Sequence, residues 1–398
     1  MSERPAPLPY PFTSADPLEL SPIYAELRNG PLRKVRLPYG EDTWLVTRHA
    51  DARFVLSDPR FSLAAGVERD QPRMRELSPG GDGLLSTDPP VHTRLRGVVA
   101  RHFSARRVEQ MRVVVREAAD GLLDRLEESG PPGDLVQDFA VPLSIAMICD
   151  LLGVPATDRH RVQKWLEVLL AQVVTNEDLA AESGAYFAYL TGLVEERRRE
   201  PGDDLLTCLV RAHYEEGRLS YDELIKLSIE LLTGGFVTTS KQIPNFCYLL
   251  LRRPEWLSRL REHPADLPVA IEEMLRYVPM PNGLVFCRYA TEDVEVGGDL
   301  VRAGEPVLVD TSAANRDPAV FHDPEALVLD RTPEAAHLTF GHGAHFCVGA
   351  RLGRLELQVA LETLLTRLPA LKLATPDGEV RWREETMLKG LHALPVDW

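Results

Sequence analysis

The chain has 398 residues, of which 44% are hydrophobic and 26% charged, and its formal net charge is −15. That is a globular composition with ample length for a large core, and so acidic a chain excludes the wrapping of nucleic acid, which needs clustered Lys and Arg. Five scattered cysteines (Cys149, Cys208, Cys247, Cys287 and Cys347), without a CxxC pair, exclude a disulfide framework and a structural zinc site; they fit a reducing cytoplasm.

The N-terminal stretch MSERPAPLPYPF is polar and proline-rich, and no run apolar enough to anchor the chain in a membrane is expected. Residues Asp16 to Asp58 mix short helical and strand-like patterns, including TWLVTRH. From Ser62 to Ser86, Gly, Pro and charged residues predict a long mobile loop. From Pro90 to Glu200 apolar residues recur at spacings of three and four, as in VEQMRVVVREAADGLLDRLEE, which predicts helices. The turn Pro201 to Asp204 ends this run.

Ser220 and Glu223 form a Ser-x-x-Glu capping box that starts a long helix. That helix is apolar nearly all round, so it should be buried. Gly234, Gly235 and Pro244 should weaken it; the glycines serve either close helix packing or a bend that frees backbone groups to bind something. Two more helices follow Pro254, ending in IEEMLRYV. LVFCRYA, VEVGG and EPVLVDTSA read as strands, Asn315 to Thr332 as a loop, and ARLGRLELQVALETLLTRL as the last helix. The pattern is mainly α with small β-sheets.

The densest chemistry lies in HLTFGHGAHFCVGARLGRLE, residues His337 to Glu356. A loop with Gly341 and Gly343 delivers one cysteine to the start of a helix, where backbone amides can stabilise a thiolate. Such a sulfur is a nucleophile or a metal ligand. The pattern Phe340-Gly341-x-Gly343-x-His345-x-Cys347-x-Gly349 resembles the haem-binding loop of the cytochrome P450 family, at every signature position. Three further segments match in order, so the resemblance spans nearly the whole chain. It implies the P450 fold, a helical prism with haem b held between the long central helix and the Cys-loop helix, in one domain over residues 1–398. The β-rich part would be residues 16–60 and 284–312 plus the C-terminal strands, the α-rich part 90–280 and 347–366.

By that resemblance Cys347 is the iron ligand. Phe340, Gly341 and Gly349 belong to its loop. Glu273 and Arg276 resemble the family's Glu-x-x-Arg pair, with Arg331 as its third, structural member. His92 and Arg96, four apart on one helical face, resemble the residues that hold haem propionates, together with Arg288 and His345. Gly234-Gly235-Phe236-Val237-Thr238-Thr239 resembles the oxygen-activation segment, with Thr238 and Thr239 as the hydroxyls that support proton delivery. Where the family has an acid this chain has Val237. Three readings follow: proton relay by another route, coupling of aromatic radicals without oxygen insertion, or peroxide-driven chemistry. The thiolate pushes electron density onto the iron and favours O–O cleavage.

Alignment of motifs places Phe236, Val237, Leu284, Phe286 and Met387 in the substrate pocket. The loop Ser62 to Ser86 and the helices around Trp165 to Tyr189 would form a lid, with Gln71, Arg73, Gln172 and Asn176 as its polar groups. The chain has no flavin or iron–sulfur motif, so electrons must come from outside, in this family commonly from a ferredoxin and a ferredoxin reductase. Arg101, Arg106, Arg107, Arg351 and Arg354 form a basic patch suited to such a partner. The expected activity is O2-dependent oxidation of a small organic natural product, by a cytoplasmic monomer. Two alternatives are C–C or C–N coupling of an aromatic cyclodipeptide and a non-catalytic haem protein.

Overall fold

The computed structural model describes residues 5–76, 83–171, 175–280, 286–332, 335–383 and 388–398, and the side chains of Leu170 and Asn176 also lie outside the description. The chain forms two compact units, one of Met1–Thr93 with Glu272–Cys347, the other of Arg94–Ile271 with Val348–Trp398.

The first unit is built on a six-stranded sheet. Its strand order is Leu8–Pro9, Arg33–Arg36, Thr43–Val46, Pro306–Val309, Arg288–Ala290 and Phe61–Ser62. Thr43–Val46 and Pro306–Val309 run parallel at its centre and are buried throughout, as suits their near-continuous apolar runs. One face packs on Val46, Val55, Phe61, Val307 and Leu338, the other on Tyr10, Val35, Leu45 and Tyr289. The start of the segment expected as a mobile loop is instead anchored. Phe61–Ser62 pairs with Tyr289 and Ala290, and Arg73 bridges to Tyr39 through two backbone hydrogen bonds. Thr311–Ala314, expected as the end of a strand, is a short helix because Asp310 caps it through the Ala313 amide.

The second unit is helical. Its central helix, Tyr221–Leu251, opens on the expected capping box, with both hydrogen bonds of the Ser220–Glu223 pair formed. It runs unbroken through Gly234, Gly235 and Pro244. The helices Val141–Leu152 and Ala350–Arg367 pack against it, and Ala350–Arg367 also packs on Ala105–Ser129. One expectation is overturned here: Leu135–Leu152 does reach spanning length and apolarity, with a mean hydropathy of 1.7 over 18 residues. Its face toward the central helix explains this, since 72% of it is buried in the protein. Small strands complete the unit in two sheets, Gly133–Asp134, Pro395–Asp397 and Lys372–Leu373 in one, Trp382–Arg383 and Gly390–Leu391 in the other.

Candidate active site

The cysteine loop is fixed before any ligand is considered. Gly341 and Gly343 sit at φ +72° and +70°, where side chains are strained. A Cβ on Gly343 would also lie 2.5 Å from the Leu56 carbonyl oxygen, so position 343 admits only glycine on two counts. The Cys347 amide donates to the Phe340 carbonyl (2.8 Å), and the Gly341 amide to Leu338 (2.8 Å). Asn315 ties the loop down, accepting from the Leu338 amide (2.6 Å) and donating to the Thr339 hydroxyl (2.9 Å), which donates to the Leu275 carbonyl (2.7 Å). Cys347 is exposed while the other four cysteines are buried. Burial pushes the thiols of Cys149, Cys247 and Cys287 up to about 12.

Around this loop the fold gathers residues distant in sequence. The rings of His92 and His345 lie 3.9 Å apart between centroids. The His92 amide donates to the Asp88 carbonyl (2.9 Å), and the Asp88 carboxylate accepts from the Leu63 amide (3.0 Å) and the Ser62 hydroxyl. Arg288 donates to the neighbouring Phe61 carbonyl (3.3 Å). Arg288 is 7% exposed and forms no ion pair among the described residues. Burial pushes its guanidinium down to about 10, with Asp88 opposing the shift. A cation held out of water without a carboxylate in contact is costly, and an anionic ligand offsets that cost.

Glu273 is the hub of a buried ion cluster in the same unit. Arg276 grips its carboxylate bidentately (2.7 and 2.7 Å), Arg331 lies 3.0 Å from both oxygens, and the Val328 amide donates to it (2.8 Å). The guanidinium groups donate further to carbonyls, Arg276 to those of Asn315, Pro324 and Ala326, and Arg331 to those of His322, Asp323 and Ala326.

In the second unit the central helix shows why two glycines adjoin. A Cβ on Gly235 would lie 2.3 Å from Ile148 Cδ1, so that glycine serves close helix packing, while a Cβ on Gly234 would meet nothing within 4 Å. Close helix packing therefore accounts for Gly235, while the helix runs unbroken at Gly234. Thr238 donates to the Gly234 carbonyl (3.1 Å) and Thr239 to that of Gly235 (2.9 Å). Phe236 and Val237 line a cavity of about 60 Å³ whose walls include Glu167, Ser240, Lys241, Arg383 and Leu388. Arg96 is half-buried on the helix Val91–Val99, and Gly349 precedes the helix Ala350–Arg367.

Other expected site residues fare differently. Leu284, Met387 and Gln172 lie outside the described residues, as does the side chain of Asn176. Phe286 is 38% exposed. Arg73 is taken up by Asp70 (2.5 Å) and the carbonyls of Gln71 and Glu76, which anchor its own loop. In the basic patch Arg107 pairs with Asp203 (2.9 Å) and Arg101 contacts the Cys208 sulfur, whereas Arg106 and Arg351 stand exposed. One residue escaped the sequence reading. Glu356 is 1% exposed, and burial pushes its carboxyl up to about 8 against the lowering effect of a hydrogen bond with the Thr239 hydroxyl. Its signal was available: Glu356 falls at helical spacing from Leu352, Val359 and Ala360, on the buried face.

Comparison with known proteins bears on this arrangement. The family model "Cytochrome P450" matches residues 146–264 and 267–391. Nocardicin C N-oxygenase of Nocardia uniformis subsp. tsuyamanensis is 49% identical over 98% of both chains. This chain belongs to the cytochrome P450 family. Mycinamicin IV hydroxylase/epoxidase of Micromonospora griseorubida is 47% identical to the P450 over 98% of this chain and 99% of that one. A crystal structure of HinD with NMFT and NO superimposes with a TM-score of 0.94, at 47% identity, covering 99% of this chain and 100% of that one. The mainly helical fold with small sheets is thus the P450 fold, and the protein is an oxidoreductase of a haem-carrying family. The residues present fit haem. An exposed thiol sits on a hydrogen-bonded loop, and the buried Arg288 in the same unit calls for an anion.

Proposed function

We propose that the P450 is a cytoplasmic, monomeric monooxygenase that oxidises a small organic natural product, with the whole chain acting as the single domain expected from the sequence. The observation that carries this reading is the pinned Phe340–Cys347 loop, together with relatives that are named as an oxygenase and a hydroxylase/epoxidase. Those names also favour oxygen insertion over cyclodipeptide coupling or a non-catalytic haem protein.

In this reading Cys347 ligates the iron, and the group it holds is haem b. His92, Arg96, Arg288 and His345 hold the propionates. Haem supplies the oxidising chemistry when bound. The protein's part is control of protons, water and substrate position. Gly341 and Gly343 keep the sulfur in a backbone setting that no side chain disturbs. Gly234 leaves room beside the central helix, and Thr238 and Thr239 offer hydroxyls that both donate and accept. Phe236 and Val237 offer the substrate apolar contact. A ferredoxin with its reductase supplies electrons and docks on the arginine patch, chiefly through the exposed Arg106 and Arg351.

The test is spectroscopic. The purified holoprotein, reduced under carbon monoxide, is expected to show the thiolate-type haem difference band, and Cys347→His to lose it while still binding haem. A Cys347→His protein with an unchanged band would refute the ligand assignment. Titration of the holoprotein with macrolactones, terpenoids and cyclodipeptides, following the low-spin to high-spin shift, then identifies the substrate class.

A further inference from the structure

A second cavity in the helical unit encloses about 350 Å³ and is lined by Arg101, His102, Arg107, Cys208 and Arg211. These residues come from three elements: the 3-10 turn Ala100–Phe103, the start of the helix Ala105–Ser129 and the helix Leu205–Tyr214. Small-molecule sites span roughly 300–1,000 Å³, so the cavity has room for a ligand. Three arginines on one cavity run against the net charge of −15. The two carboxylates on the same wall, Asp203 and Asp204, do not balance them. Asp204 is spent on the Thr207 amide (2.7 Å) and on Arg197 (2.7 Å). Asp203 pairs with Arg107 (2.9 Å). The Arg101 guanidinium donates to the Cys208 sulfur (2.6 Å), a weak acceptor, while Glu216 acts on it only at longer range. The Arg211 side chain is exposed and bonds nothing among the described residues. The Nδ1 of His102 is buried and has no hydrogen-bond partner among them either, a cost that a bound ligand would offset.

We propose that this cavity binds a phosphate group, as the free ion or as the ester of a small molecule. Arg101 and Arg211 bring two positive charges that no carboxylate pairs. A phosphate group carries about −1.5 to −2 charge near neutral pH and three strong acceptor oxygens, and guanidinium forks match its geometry. A carboxylate, with one charge and two oxygens, would leave one arginine unmatched. The occupant also has to enter the cavity, because Nδ1 of His102 is buried and Cys208 is 5% exposed. A small molecule does so readily, whereas the surface of a docking protein meets the rim. The electron donor is therefore left to Arg106 and Arg351.

Binding is linked to a proton. Burial holds the His102 imidazole below the usual histidine range, and the charges of Arg101 and Arg107 add to that effect against Asp203 and Asp204. Arg211 and Cys208 line the same cavity from the helix Leu205–Tyr214. An anion among these groups favours the imidazolium, so the midpoint of His102 is higher in the bound protein than in the free one. Where free His102 is neutral, binding takes up a proton. The affinity for a dianion that does not itself titrate then falls as pH rises from the free midpoint to the bound one.

The experiment is calorimetric titration of the haem-loaded protein, in phosphate-free buffer at low salt, with inorganic phosphate, ribose 5-phosphate, sulfate and succinate. One saturable site per chain is expected for phosphate, with succinate binding more weakly. Ribose 5-phosphate binding more tightly than phosphate would make the ligand an ester, and equal binding would make it the free ion. Arg101→Gln and Arg211→Gln should each weaken phosphate binding by about ten- to hundredfold, the worth of one charge-assisted hydrogen bond, while Arg106→Gln should leave it as it is. Sulfate, a dianion at every pH used, should bind more weakly at pH 8 than at pH 6, and His102→Gln should abolish that difference. The absence of a saturable site overturns the proposal, as does succinate binding more tightly than phosphate. A sulfate affinity independent of pH overturns the role given to His102. Should Arg101→Gln fail to fold, the exposed Arg211 still decides, since phosphate binding unchanged in Arg211→Gln overturns the site. Variants that keep phosphate binding but are reduced more slowly by a plant ferredoxin would assign these arginines to the electron donor instead, and overturn it too.

Discussion

Single residues here carry costs that only their partners offset. Glu273 holds Arg276 and Arg331 in a pocket where it is 4% exposed. Replacing it with Ala leaves two buried guanidinium groups without a counter-charge, and removal of one partner from such a network costs about 3–5 kcal/mol. Urea unfolding of Glu273→Ala should show that loss, and Arg276→Lys should not be neutral, because lysine cannot reproduce the two-pronged contact. Glu356 makes the opposite statement through pH. Its folded midpoint of about 8 lies above the 4.5 of an ordinary glutamate, so between those values the unfolded chain releases a proton that the folded chain retains. Stability therefore falls as pH rises through that window, by up to about 1.4 kcal/mol per pH unit for one proton. Glu356→Gln removes that contribution. Chemical unfolding at pH 5 and pH 8 should show the variant gaining on the parent as pH rises.

At the level of the element, the central helix separates two glycines that look alike in sequence. Gly234→Ala adds a methyl into open space and should raise the melting temperature, since alanine favours helix by about 0.5–1 kcal/mol over glycine. Gly235→Ala forces a methyl against Ile148, and overpacking of about 1–3 kcal/mol should outweigh the same gain. Thermal unfolding of the pair should move in opposite directions. The helix itself, its capping box and the cysteine loop were legible because each follows local rules: periodicity, a Ser-x-x-Glu start, and spaced glycines beside one cysteine. What each glycine does was not legible, because Ile148 approaches from another helix. The approach of His92 to His345 followed from the family resemblance alone and from no local rule, since it depends on how the chain returns after the sheet is built. Leu135–Leu152 was misread for the converse reason: its apolarity answers to the helix it packs on.

For the whole molecule, the net charge of −15 sets the terms on which an electron donor approaches. If the donor is the ferredoxin proposed above and is itself acidic, the general field repels it and local arginines are what steer it. Reduction of the P450 should therefore slow with Arg106→Glu/Arg351→Glu, and that difference should shrink as salt screens it, over a Debye length of about 10 Å at 0.1 M. Stopped-flow reduction at two ionic strengths tests this. The distribution of cysteines has a use of its own. Four thiols are shut inside the fold and one stands open on the cysteine loop, so a native chain offers alkylating reagents a single target. If Cys347 is committed to iron, holoprotein should take up no label before unfolding and haem-free chains one each. The moles of iodoacetamide bound per mole of native protein would then count the empty fraction of a preparation directly, with no need for a spectrum.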